Sequence, residues 1–181
     1  MTEINSGNEA EAAFRALIRV YGLIGRIMQP YFGRIGISGS QWGLLRTLYR
    51  AEQEGKPGLR ILELGDQLLV RPPSVSGLVN RLQRLGYVRR ILPKSDLRAK
   101  EVHLTNAGRE LVRRVLITHG SQIELLMGGL DEAELHQLSG FMDRLAKHLN
   151  GVAEEQISAL PSRMASNEKS DGLDISTGSQ Q

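Results

Sequence analysis

The residues best placed to do chemistry lie between Arg71 and Arg98, in the run RPPSVSGLVNRLQRLGYVRRILPKSDLR. Val75, Leu78, Val79 and Leu82 follow an i, i+3, i+4, i+7 spacing, which predicts a helix over 72–85 with one buried face. The opposite face is small, polar or basic: Arg71, Ser74, Ser76, Gly77, Asn80, Arg81 and Arg84. Serine hydroxyls allow close approach to a base edge, an asparagine amide can pair with adenine or bond a phosphate, and arginines suit phosphate oxygens. Tyr87 to Thr105 then predicts a β-hairpin whose turn carries Lys94, Asp96, Arg98 and Lys100. An arginine at such a tip can enter the minor groove, where narrow A·T-rich stretches concentrate negative potential. Asp96 would be repelled by DNA and suits an intramolecular partner that orients an arginine. The plainer readings are a helix with a solvated polar face and a surface ion pair of little energetic weight.

Charge is distributed to match. Between Arg60 and Lys100 there are nine Lys or Arg against three acids, a surplus of six, although the whole chain carries only +3. Residues 151–181 hold five acids and two bases. A basic surface confined to one segment is the electrostatic footprint of a nucleic-acid partner. A short helix followed by a hairpin is the layout of a winged helix-turn-helix. The expected fold class is therefore mainly α with a small β-wing.

Other elements must hold this module in place. A helical pattern runs from Glu9 to about Phe32, with Phe14, Leu17, Tyr21, Ile24 and Met28 on one stripe and Ala13, Val20 and Ile27 beside it. That width implies burial on two sides, and Pro30 with Gly33 marks the expected end. Ser38 and Gln41 form a capping box for a helix over 39–54, flanked by Ile37 and Trp42. A short strand near 59–61 and a helix over 62–69 lead to Pro72, which fits a first helical turn. Thr105 caps a helix running to about Met127, Gly128-Gly129 breaks it, and Asp131 with Glu134 caps a last helix carrying Leu135, Leu138, Met142, Leu145 and Leu149. The expected domains are 9–36, an N-terminal dimerisation helix; 37–105, the DNA-binding module; 106–150, C-terminal dimerisation helices; and 151–181, a largely disordered tail.

The same residues exclude several function classes. There is no cysteine, so no disulfide, thiolate metal site or thiol switch. The four histidines, 103, 119, 136 and 148, are dispersed, and neither a metal nor a cofactor is expected. No nucleophile elbow or glycine-rich phosphate loop is present, so no enzyme is expected. Without a membrane-length apolar run or the form of a signal peptide, a cytoplasmic protein is expected.

Three elements, in order, resemble the MarR family of transcriptional regulators. Asp96-Leu97-Arg98-Ala99-Lys100-Glu101-Val102-His103-Leu104-Thr105 matches the family's wing pattern and continues into Asn106-Ala107-Gly108. Pro73-Ser74-Val75-Ser76, Val79-Asn80-Arg81-Leu82 and Leu85-Gly86-Tyr87-Val88-Arg89-Arg90 resemble its recognition helix and exit, and Ser38-Gly39-Ser40-Gln41-Trp42 is the third element. The likeness covers about residues 10–150. It implies a homodimer on duplex DNA with a near-palindromic operator, repression as the sign of action, and release by a small aromatic or anionic ligand. Tyr31, Phe32, Trp42 and His119 are the candidate lining residues for that ligand, each also explicable as plain core. The chain departs from the pattern at Gly77, where a long polar side chain is common, at Asn80, which replaces a frequent Asp, and at Arg60. A capping Ser or Thr is common at Arg60, so the helix after it should start less sharply. The competing reading is a non-specific architectural DNA-binding protein. A protein-interaction module of the same fold is a third.

Overall fold

The computed structural model describes residues 3–92 and 100–158. The chain divides after Leu126 into two units. The first contains α1 (Glu3–Ile35), α2 (Gly39–Gln53), β1 (Gly58–Arg60), α3 (Ile61–Leu68), α4 (Pro72–Arg84), β2 (Val88–Ile91), β3 (Glu101–Leu104) and α5 (Asn106–Met127), which reaches its end. The second contains α6 (Glu132–Ser158). Among the described residues no helix is long and apolar enough to cross a membrane.

The order α2, α3, α4, then the β2/β3 hairpin, is the winged helix-turn-helix expected from the sequence. The three strands form one antiparallel sheet in the order β1-β3-β2. Leu59 pairs with Val102, and Val102 with Arg90, so one residue of β3 fixes the register on both sides. The core beneath α4 is aliphatic: Leu44, Leu45 and Leu48 of α2, Leu64 of α3, Val75, Val79 and Leu82 of α4, and Val102 and Leu104 of β3 are all buried. Leu111, Val112 and Val115 of α5 close it from below.

The caps explain where these elements begin. Ser38 Oγ accepts from Gln41 N–H at 3.2 Å, and Gln41 Oε1 accepts from Ser38 N–H at 2.7 Å, the reciprocal box that the sequence predicts. In α6, Asp131 and Glu134 repeat it, both bonds at 2.9 Å. The start of α3 corrects an expectation. An arginine offers no acceptor, yet Glu63 Oε2 reaches back to Arg60 N–H at 2.7 Å, so half a capping box fixes the first turn.

Two ends also differ from expectation. α1 passes through Pro30 and Gly33 and stops at Ile35, where Gly36 takes φ +82°. Proline removes one backbone hydrogen bond, but the turns on either side bury Met28, Tyr31 and Phe32 against the core. That burial outweighs the lost bond. α6 runs on through Gly151 to Ser158, eight residues past the expected boundary at 150. The rest of the proposed tail, 159–181, lies outside the described residues.

The N-terminal part of α1 has a different character. Phe14, Ile18, Val20, Tyr21 and Ile27 are each more than half exposed in the single chain. The wide apolar face read from the sequence is real, and within one chain only its C-terminal end is covered.

Candidate nucleic-acid interface

α4 is positioned from both ends. Arg71, in extended conformation, precedes it, with Pro72 and Pro73 in the first turn. Their missing N–H groups would be unpaired there in any sequence. Gly86 leaves the helix at φ +76°, and Tyr87 N–H donates to Leu82 O at 3.0 Å. Thr105 then fastens this exit to the sheet and to α5. Its hydroxyl donates to Gly86 O at 2.6 Å and accepts from Gly108 N–H at 3.1 Å, while its own N–H donates to Tyr87 O at 3.0 Å.

With Val75, Leu78, Val79 and Leu82 buried, the remaining positions fall as the periodicity requires. Arg71, Ser74, Asn80, Arg81 and Arg84 are exposed, and Ser76 and Gly77 are half-buried. A Cβ added at Gly77 would meet nothing within 4 Å, so the small residue leaves an open notch in this face and answers no packing need. Among the described residues, Arg71, Arg81 and Arg84 have no carboxylate partner. Their charge is therefore available to an outside anion. Lys100 is exposed beside β3. Lys94, Asp96 and Arg98 lie outside the described residues.

The sequence reading missed Gln83 and Arg90. Arg90 Nη1 donates to Gln83 Oε1 at 2.8 Å, and both line a concavity of about 370 Å³ with Asn80 and Arg84. The signal was the pleat: side chains two apart on a strand share a face, so Arg90 shares one with Val88, which is buried under α4.

The four candidate ligand residues do come together, as one aromatic cluster. Ring centroids are 5.1 Å apart for Tyr31–Phe32 and for Trp42–His119, and 6.2–6.4 Å for Tyr31–His119, Phe32–His119 and Phe32–Trp42. Phe32 and His119 line a cavity of about 900 Å³, together with Met28, Ile37 and Ile123. Tyr31 and Trp42 stand behind that wall. Trp42 Nε1–H donates to His119 Nε2 at 3.3 Å, which makes Nε2 the acceptor and puts the imidazole proton on Nδ1. Nδ1 is buried with no partner among the described residues. Burial, and then the Arg46 guanidinium, push the His119 pKa below its ordinary value.

Residues 35–99 match the model of the MarR family. The chain is 27% identical to the HTH-type transcriptional regulator PecS of Dickeya dadantii over 74% of its own length and 79% of that protein. Over α2 to β2, the part that the model matches, the chain is similar to the MarR family. Among solved structures it resembles a mutant MarR from E. coli complexed with operator DNA, with a TM-score of 0.69 and 21% identity, covering 76% of this chain and 96% of that one. It also resembles BpsR of Bordetella bronchiseptica, described with regulation of its DNA binding by 6-hydroxynicotinic acid, with a TM-score of 0.66 and 19% identity, covering 75% and 98%. At those identities the likeness is one of fold, and it takes in helices that lie outside residues 35–99.

Proposed function

We propose that this chain is a sequence-specific regulator of transcription of the MarR family, acting in the cytoplasm as a repressor. It binds a near-palindromic operator as a homodimer. The observation that carries the reading is the division of α4: four apolar residues buried, and an outer face of hydroxyls, an amide and arginines that have no carboxylate partner among the described residues. In this geometry Ser74 and Ser76 face base edges, Asn80 is placed to pair with adenine or bond a phosphate, and Arg71, Arg81 and Arg84 hold phosphates. Lys94, Arg98 and Lys100 extend the contact from the wing, and Asp96 orients Arg98. The opened notch at Gly77 leaves the wing and the phosphate-holding arginines to supply most of the affinity.

A second copy of the chain is the partner that the exposed face of α1 calls for. Two recognition helices related by a two-fold axis read half-sites about one helical turn apart. A small aromatic or anionic effector in the cavity beside Phe32 and His119 would act by favouring a different spacing of the two helices. BpsR, with its 6-hydroxynicotinic acid, supports that class of ligand.

Selection of bound sequences from random duplex DNA tests the proposal, followed by titration of the selected and a scrambled duplex over a salt series. The selected site is expected to bind at least about a thousandfold tighter. Equal affinity for both would leave a non-specific architectural binder. Arg98→Ala is expected to weaken binding more than Ser76→Ala.

A further inference from the structure

We propose that Arg90 is a further DNA-contacting residue, that Gln83 positions it, and that together with Asn80 and Arg84 it seats one backbone phosphate at the C-terminal shoulder of α4. This rests on the reading of α4 as the recognition helix.

The argument starts from strand geometry. Val88, buried, and Arg90 lie on the face of β2 turned to the core, and Arg90 is paired across the sheet with the buried Val102. A long cationic side chain that begins on a buried face must run along apolar surface until its head reaches water. Arg90 does so under the edge of α4 and emerges at Gln83, where Nη1 donates at 2.8 Å to a neutral amide oxygen. That bond fixes the guanidinium without neutralising it. Among the described residues the other donors of the planar fork meet no partner, as a bidentate phosphate contact requires.

The neighbours have matching chemistry. The concavity is lined by Asn80, Gln83, Arg84 and Arg90, with no acid among them. Asn80 and Arg84 are one helical turn apart on the outward stripe of α4, so their side chains are neighbours. Two guanidinium groups and an amide N–H₂ converge on one seat, and its partner is an oxyanion. Arg89, one residue earlier, points to the opposite face of the sheet with His103, so of the two arginines it is Arg90 that meets the recognition helix. A phosphate held by both would fix the depth and tilt of α4 in the groove. The contact is independent of sequence and acts on affinity uniformly.

The test compares Arg90→Ala, Arg90→Lys and Gln83→Glu with the wild-type full chain, on the selected operator and on a scrambled duplex. Arg90→Ala is expected to weaken both by about tenfold and to lower the slope of log affinity against log salt by about 1. Arg90→Lys restores charge without the fork and should recover part of the loss. Gln83→Glu keeps Arg90 in place but neutralises it and adds a negative charge, so it should lose at least as much as Arg90→Ala. Its side chain is on the surface, so this variant keeps the test valid if Arg90→Ala lowers the melting temperature. Unchanged affinity and slope in Arg90→Ala and Gln83→Glu, while Arg98→Ala still weakens binding, would overturn the phosphate seat and leave the regulator reading standing. A loss confined to the operator would also overturn it, because that is the mark of a base contact. Wild-type chain that binds neither duplex would overturn the DNA reading and this seat with it.

Discussion

Removing the Arg109–Glu52 ion pair should destabilise the protein more from one side than from the other. Arg109 opens α5 and Glu52 closes α2. Arg109 Nη2 donates to Glu52 Oε1 at 2.7 Å and Nε to Oε2 at 2.8 Å, a two-pronged contact, while Nη1 donates to Asn106 Oδ1 at 2.9 Å. The carboxylate bond holds the guanidinium pKa above its ordinary value. Glu52 keeps 11% of its side-chain exposure and Arg109 keeps 29%. Exposed pairs contribute about 0–1 kcal/mol, and stripping one partner from a fully buried pair costs about 3–5 kcal/mol. This pair lies between those limits. Arg109→Ala strands the more enclosed group and should cost about 3 kcal/mol. Glu52→Ala leaves a guanidinium that still bonds Asn106 and reaches water, and should cost about 2 kcal/mol. For a chain of this length those losses correspond to about 9 °C and 6 °C in melting temperature. The double variant should show a coupling of about 2 kcal/mol. Urea unfolding followed by far-UV circular dichroism measures all three, at one protein concentration so that self-association does not enter. Direct contact and enclosure should preserve the coupling at about 0.5 M salt. A coupling under about 0.5 kcal/mol, or a larger loss for Glu52→Ala, would refute the reasoning, because the pair would then be behaving as a solvated surface contact.

Gly108→Ala should be at least as damaging, by about 3 kcal/mol, because a Cβ there meets the Tyr87 carbonyl oxygen, and backbone cannot swing away as a side-chain end could; the urea midpoint checks it. Leu69→Gly should be mildly stabilising: the leucine is left-handed at φ 53° and 87% exposed, so relief of about 1 kcal/mol of backbone strain exceeds the extra chain entropy, for a net gain of about 0.5 kcal/mol. A lower melting temperature in that variant would contradict this. The His119 pKa is lowered in the folded chain, so the stability it contributes is complete above the ordinary value of 6.5 and is lost as pH falls through the lowered value. Stability measured from pH 8 to pH 5 should therefore fall more steeply in the wild type than in His119→Phe, and parallel curves would contradict the assignment.

What was legible in the sequence was whatever neighbours in the chain determine. The Ser38–Gln41 and Asp131–Glu134 boxes and the buried stripe of α4 each depend on residues within one or two turns. Reading failed where a distant group decided the outcome. Pro30 is a stop signal by its own chemistry, and α1 continues through it because Met28, Tyr31 and Phe32 are buried there. Arg60 is a local miss: it looks like a poor cap until the reach of Glu63, three residues on, is counted. Leu69 is a poor candidate for a left-handed residue, and only the turn between α3 and α4 requires it. The candidate site divides in the same way. The outer face of α4 follows from periodicity alone. The place of Arg90 in that face does not, because it depends on how β2 lies beneath the helix, and the bond from Trp42 to His119 spans 77 residues. That bond joins α2, which packs against α3 and α4 in the winged helix-turn-helix, to α5 at the wall of the cavity. An occupant of the cavity that moved His119 would therefore disturb Trp42 first. Because Trp42 is the only tryptophan in the chain, its emission should report that disturbance without a label, before any change in DNA affinity is measured.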